Sequence, residues 1–532
     1  MVKFVRSAGS AICNHTPRPS SWHNQHELPP SHSPLWLAGL FALALGGGCA
    51  SAPRFPTALH VDRLGDETVL TFDTDGDKHG DYWQYAGPDG RKHALAYADH
   101  AGGGPGARIE LDEINAAACP HLLIALDGVP FELVDQLYRA GRFRLFYPPA
   151  RVICGYPAMT DLALNDLFDA GHSLGFQAMH YDRSANHVTN GSTSYLSASN
   201  SPWVSKLSYR CSFWWDVLVY LNPQPVFNHE MSDIHKQFAR IDAGHAYAYS
   251  VGTAGLGTRG GRDAILTYLR AVDDLCERLV FERRGRVKIT LTADHGHNLV
   301  ENKLVSFDDL LKRAGYRPAS TLRGPRDVVT IAYGLVTYAE FFTRDAAGVA
   351  RCLLGHDDVE FVCYPDGDAV IVADRDGCAR ITRGAAGFRY DASAGDPLRL
   401  TPILEPLRRD GKVSADGEID SAALFQATLD HYYPDPLVRL WGAFHGEVEN
   451  TPDVIANLRD GACHGSHFFT AMVGKVASTH GSLNRMNSTT FALTMLGELP
   501  PAMRSAEVLP ALERRREAGS LPTGTGSPAE TR

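Results

Sequence analysis

Residues 287–297 read VKITLTADHGH, an apolar, β-branched run that breaks at Asp294-His295-Gly296. Such a run bounded by glycine predicts a buried strand, with the Asp-His pair placed where the strand ends. HLLIALDG (121–128) has the same form and ends in Asp127-Gly128. A strand, then a ligand-type residue, then glycine is what an open α/β sheet offers at the carboxyl edge of its strands, where its active sites lie.

Helical periodicity fills the intervals. ELVDQLYRA (132–140), DLALNDLFDA (161–170) and RDAILTYLRAVDDLCERLV (262–280) read as helices, and RVIC (151–154) as a short strand. Strand and helix in turn mean crossover connections and a mostly parallel sheet flanked by helices. The expected fold class is therefore α/β, with the core running over 116–320. The chain returns to it over 461–510, through KVASTHGSLN and STTFALTML.

Two further pieces flank this core. Over 50–115, ETVLTF, DYWQYA and RKHALAYA alternate with Asp/Gly turns, predicting a small β-rich segment that ends at AGGGPGA. Over 321–460 the pattern turns to strand-like VVTIAYGLVTY, VEFVCY, AVIVAD and ARITR with helical ALFQATLDHYY, predicting a smaller α+β cap. The polar stretch 511–532 reads as a disordered tail.

The chain has 532 residues, 44% hydrophobic and 21% charged, with a net charge of −10 and 23 histidines. The acidity is mild and there is no basic stripe, so no nucleic-acid surface is indicated. PLWLAGLFALALGGG (34–48) followed by Cys49-Ala50-Ser51 is too short for a membrane span and reads as a signal-peptide core leading into a lipobox. Residues 1–49 are thus expected to export the body, as a periplasmic or outer-membrane-anchored lipoprotein lipidated on Cys49. A plain cleaved signal or a retained anchor are the alternatives. The eight cysteines after Cys49 include no CxxC and dictate no pairing.

The residues with chemistry fall in a fixed order: Asp127, Thr160 in YPAMTD, Asp242 and His245 in ARIDAGH, Asp294 and His295, and His480 in VASTHGS. Three Asp and three His suit a pair of borderline divalent ions, and a metal makes the Thr160 hydroxyl a nucleophile. This order resembles the alkaline phosphatase superfamily and, within it, the nucleotide pyrophosphatase/phosphodiesterase branch. The resemblance spans 121–300 and returns near 480.

That resemblance implies two Zn²⁺ ions, other divalent metals fitting too. Asp127, Thr160, Asp294 and His295 would hold one, and Asp242, His245 and His480 the other. It implies hydrolysis of a small phosphate ester through a covalent phospho-threonine at Thr160. Here the third motif is Asp-x-Gly-His, one residue shorter than the branch's Asp-x-x-Gly-His. Gln177, Arg183 and Asn186 are candidates for the non-bridging oxygens, and diester and monoester chemistry both remain open. His297 either props a ligand, lines the substrate cleft or faces solvent. His464 and His467 form a rival His-Gly region to His480, which is preferred because VAST supplies a strand edge before it.

Asp73, Asp75, Asp77 and Asp81 alternate in DTDGDKHGD, as oxygen ligands do around Ca²⁺, and equally as in an acidic β-turn. Phe213-Trp214-Trp215 and Tyr432-Tyr433 read as packing. A sulfatase is disfavoured, because CGYPAM around Cys154 lacks the Cys-x-Pro-x-Arg needed for formylglycine. A surface lipoprotein that binds anions without catalysis is the rival of another class. Oligomeric state and natural substrate are not written in any motif.

Overall fold

The 287–297 run does form a strand, Lys288–Ala293, buried along its whole length. It lies in a seven-stranded sheet, whose strands we name β1 (His121–Leu126), β2 (Ala150–Ile153), β3 (Tyr209–Arg210), β4 (His245–Ser250), β5 (Lys288–Ala293), β6 (Thr489–Thr494) and β7 (Ala502–Arg504). This is a computed structural model, and it describes residues 51–100, 103–212, 215 and 218–518. The spatial order is β3-β4-β1-β5-β6-β2-β7. Only β6 runs against its neighbours; the other pairings are parallel. The fold class is mixed α/β with a mostly parallel central sheet.

Parallel strands covered on both faces are buried along their length and mostly apolar. β1 and β5 accordingly bury every residue. The covering helices include α1 (Phe131–Arg139), α2 (Thr160–Phe168), α3 (Pro223–Phe238) and α4 (Gly252–Glu282). Leu122, Ile124, Ile289, Leu291, Leu269 and Val272 share one core. Register fixes which end of the sheet each residue reaches. His121, His245 and Lys288 stand level at the amino end, and Leu126, Ser250 and Ala293 stand level at the carboxyl end.

Residues 317–458 carry a second, nine-stranded sheet that includes Tyr338–Thr343, Val359–Asp366 and Val454–Leu458. It meets the first through the segment before Tyr338, where Thr337 N donates to His480 O at 2.7 Å. Tyr433 packs edge-on against Phe361 in this sheet's core. The N-terminal segment forms a five-stranded antiparallel sheet from His60 to Glu110. It lies against α4, with Gln84 Nε2 donating to Glu277 Oε2 at 2.6 Å and Tyr97 donating to Phe281 O at 2.8 Å.

The expected tail needs correcting. Residues up to Ala518 are helical, in Val508–Ala518, because Val508, Ala511 and Leu512 are buried and Arg516 reaches Ala116 O at 3.3 Å. Residues 519–532, the segment 1–49 with Cys49, and Phe213-Trp214 lie outside the described residues. No helix among the described residues is long and apolar enough to cross a membrane. The eight cysteines from Cys119 to Cys463 are all free thiols.

Candidate active site

Asp127 follows β1 and Asp294 follows β5, so two adjacent parallel strands deliver two carboxylates side by side at the carboxyl edge. Both are at least 95% buried. Asp294 Oδ1 accepts from Gly128 N at 2.9 Å and His295 N at 2.7 Å. Its Oδ2 lies 3.4 Å from His295 Nε2 and has no hydrogen-bond donor. Asp127 Oδ2 accepts the Tyr249 hydroxyl, and its Oδ1 is 4.0 Å from the same His295 nitrogen.

Thr160 is the first residue of α2 and closes this group, its Oγ1 3.3 Å from His295 Nε2. The opening N–H groups of a helix lack intrahelical acceptors, which makes this end a favourable place for an anion. One donor atom from each of Asp127, Asp294 and His295 lies within 4.8 Å of the others. Two buried carboxylates facing one imidazole, with one Asp294 oxygen lacking a hydrogen-bond donor, form a donor set that fits a divalent cation.

His480 joins from the late His-Gly motif. Its Nδ1 donates to Ala158 O at 2.8 Å, and its ring stacks on His295 with centroids 3.8 Å apart. His297 is fully buried, with Nδ1 on Ser478 Oγ at 3.0 Å. Burial disfavours the charged imidazolium, pulling His295 down to about 4 and His480 to about 3, and holding His297 well below the usual value. All three are neutral at physiological pH, as a metal ligand must be. Burial also raises Asp294, against the pull of Gly128 N–H and Thr160.

Asp242 and His245 are not brought here. His245 opens β4 opposite His121, at the amino end of the sheet, so a six-residue strand separates it from the cleft. At about 3.3 Å per residue that is roughly 17 Å. His245 contacts His121 Nδ1 at 3.2 Å and the Arg516 guanidinium. Asp242 is exposed and pairs with Arg283 at 3.1 Å. The Asp-x-Gly-His motif precedes its strand instead of following it.

The segment that does follow β4 is Gly252-Thr253-Ala254-Gly255-Leu256, which has the spacing of Asp-x-x-Gly-His with Gly and Leu at the ligand positions. A Cβ on Gly252 would sit 2.4 Å from Glu230 Oε2 and 2.9 Å from Phe227 Cα. Glu230 needs that closeness to accept from Val251 N and Gly252 N. Leu256 turns into the core. The second expected ligand pair is therefore missing from the cleft.

Of the other candidates, Gln177 and His297 line the cleft. Gln177 is fully engaged, donating to Glu340 Oε1 at 2.9 Å and accepting from Gly334 N at 2.8 Å. Arg183 is turned away onto Thr451 O and Asp453, and Asn186 accepts from Leu322 N at 2.8 Å. Both tie loops to the second sheet. His464 faces Val305 O at 3.1 Å, and His467 is exposed.

Sequence reasoning missed Arg210, Tyr249, Asp161 and Trp203, all in the cleft wall. Arg210 ends the short edge strand β3, where nothing in the local pattern distinguishes it from a surface arginine. Asp161 follows Thr160 directly and accepts from Ser201 Oγ at 2.7 Å and Trp203 Nε1 at 2.8 Å; burial nevertheless raises its pKa.

In the acidic loop Asp73, Asp75 and Asp81 approach within 4.8 Å, and Asp77 stays outside the group. Asp73 accepts from Gly76 N and Lys78 N, Asp81 from Thr74 N and Oγ1. These bonds hold the turn.

No protein-family model and no curated protein matches the chain. Among solved structures it is similar to phosphonoacetate hydrolase from Sinorhizobium meliloti 1021, at 12% identity over 80% of this chain and 98% of that one, with a TM-score of 0.41. It is also similar to murine ectonucleotide pyrophosphatase/phosphodiesterase 5, at 12% identity over 76% of this chain and 97% of that one, TM-score 0.40. Both belong to the superfamily that the motif order resembles. At this identity and score the likeness carries nothing about the chemistry of the cleft.

Proposed function

We propose that this chain is a metal-dependent hydrolase of small phosphate esters that uses Thr160 as its nucleophile. The observation that carries the reading is the convergence of Asp127, Asp294, His295 and Thr160 at the carboxyl ends of β1 and β5, with a buried Asp294 oxygen unpartnered. Asp127, Asp294 and His295 would hold the ion. When bound, a divalent cation supplies charge stabilisation at phosphorus and lowers the pKa of the threonine hydroxyl.

The chain's own groups do the rest. Gly296 O fixes the His295 proton on Nδ1, at 2.9 Å, so Nε2 presents its lone pair to the site. Tyr249 and the Gly128 amide orient the two carboxylates. The first turn of α2 faces the non-bridging oxygens with N–H groups, and Arg210 adds a cation on the cleft wall. Thr160 Oγ forms a bond to phosphorus as the ester P–O bond breaks, and the threonine proton passes to the departing alcohol. Water then attacks phosphorus, frees Thr160 and releases the phosphate.

The test is a comparison of rates on p-nitrophenyl mono- and diesters using protein stripped by chelator and refilled with Zn²⁺, metal content being assayed on the same sample. Turnover that requires metal and is abolished in Thr160→Ala, with metal retained, supports the reading. A second reading, anion binding without turnover, is favoured by one observation: β4 brings no ligand to the cleft. Metal-replete protein that binds phosphate yet turns over neither ester would establish that second reading. Export with lipidation at Cys49 is proposed from the sequence. Loss of radiolabelled palmitate from Cys49→Ala, with wild type labelled, is its check.

A further inference from the structure

Arg439 is only 4% exposed. A guanidinium is always charged and is almost never buried so far unless a carboxylate pairs with it. Here its acceptors are three carbonyls and a hydroxyl. Nη1 donates to Pro434 O and Leu483 O, both at 3.0 Å, and Nη2 donates to Gly155 O at 3.1 Å and Ser488 Oγ at 2.5 Å. The neighbouring carboxylate, Asp435, is committed to Arg504 at 2.7 and 3.2 Å.

The position of those acceptors gives the guanidinium its meaning. Gly155 lies on the loop between β2 and Thr160, and Leu483 and Ser488 lie between His480 and β6. β2 and β6 are antiparallel neighbours, so the two loops leave the sheet side by side. Next to the strands, Cys154 N donates to Ser488 O at 3.0 Å. Next to the cleft, Ala158 N donates to Gly481 O at 3.0 Å and His480 Nδ1 to Ala158 O at 2.8 Å. Between these ends, the planar fork of Arg439 holds Gly155 O and Leu483 O at once.

Arg439 itself comes from the other unit. Its helix, Pro436–Gly442, packs Leu437 and Leu440 into the core of the nine-stranded sheet. Tyr156 and Leu483 of the two loops join that same core. Apolar packing therefore already holds the units together, and adhesion alone does not call for a buried cation. Geometry does, because Thr160 Oγ1 must stay near His295 Nε2, now 3.3 Å away.

We propose that Arg439 is a positioning residue that clamps the Thr160 loop to the His480 loop and so sets where Thr160 stands against Asp127, Asp294 and His295. It acts through Gly155 and Leu483 and does not line the cleft. This inference rests on the hydrolase reading above and deepens it by naming what holds the nucleophile in place.

The test compares full-length Arg439→Met and Arg439→Lys with wild type on p-nitrophenyl mono- and diesters. Each protein is refilled with Zn²⁺, assayed for metal, and shown by its melting curve to be folded at the assay temperature. Met fills the space without charge or donors, whereas Lys keeps the charge and loses the fork. Folded, metal-loaded Arg439→Met should keep its KM and lose about 100-fold in kcat. Arg439→Lys should recover part of that loss and stand about tenfold below wild type. A kcat within about twofold of wild type in Arg439→Met would overturn the proposal, as would a loss that only follows lost metal or lost folded protein. If Arg439→Met does not fold, a wild-type kcat in Arg439→Lys overturns it equally. All of these outcomes leave the hydrolase reading intact, whereas metal-loaded wild type inert on both esters removes that reading and this role together.

Discussion

The Thr160 hydroxyl lies 3.3 Å from His295 Nε2, and that nitrogen is the atom a cation at Asp127 and Asp294 would claim. Proton and metal compete for one lone pair. Thr160 donates to His295; an ion held there would take that acceptor from the hydroxyl and supply Lewis acidity in its place. Thr160→Ala removes the proposed attacking atom and leaves both carboxylates and the imidazole in place. Its turnover should fall by about 10³-fold or more with metal content unchanged. Thr160→Ser, which keeps the oxygen, should retain measurable turnover. Equal rates in wild type and the alanine variant would remove Thr160 from the chemistry.

Asp294→Asn probes the charge balance of the same group. Metal-free protein buries two carboxylates side by side, and burial already raises Asp294. Neutralising one relieves their repulsion, so the metal-free variant should melt at or above wild type. The order reverses with Zn²⁺ present. At a hundred times Kd the wild type gains about 2.7 kcal/mol from binding, most of which the variant forgoes. Crossed melting curves, with and without metal, are the expected pattern. A variant that gains as much from Zn²⁺ as wild type would show that Asp294 is not a ligand.

Asp242→Ala and His245→Ala should leave ion content and turnover unchanged. Asp242 makes an exposed pair with Arg283, a kind of contact worth about 0–1 kcal/mol, so even stability should move little. Loss of an ion in either variant would require the amino end of β4 to reach the cleft, and the β1–β4 register would then be wrong.

That error marks where the sequence stops being legible. Asp127, Asp294 and His295 were readable because each ends a buried run, and the run itself tells which edge of the sheet it meets. Asp242 and His245 matched a spacing, but the strand lies after them, in HAYAYS, and polarity along the chain reverses their place. The emptiness of Gly252 and Leu256 was invisible for a different reason. It depends on Glu230 and Phe227, which approach from α3 and press against Gly252. Arg183 and Asn186 had suitable side chains, yet partners on the second sheet claim them. Local pattern dictates strands and their ends. Contacts between elements distant in sequence decide which polar side chains remain for a ligand.

Glu340 provides a pH test that does not involve the proposed ligands. It is 1% exposed, and burial raises its pKa to about 8 from 4.5, although Gln177 Nε2 donates to it at 2.9 Å. Below about pH 4.5 it is neutral in folded and unfolded chains alike and contributes no penalty. As pH rises from 4.5 toward 8 the unfolded chain loses this proton while the folded one keeps it, and stability drains away. Above about 8 both forms are ionised and the loss levels off, at no more than about 5 kcal/mol. Glu340→Gln keeps the acceptor for Gln177 and cannot ionise. Buried Asp166 and Asp273, each raised to about 7, slope the same way in both proteins and cancel in the difference. The melting temperature of the variant should match wild type near pH 4.5 and exceed it increasingly up to pH 8–9. Parallel curves across that range would mean that Glu340 is ionised in the folded protein, and that Gln177 faces a charge in the cleft wall instead of a neutral acid.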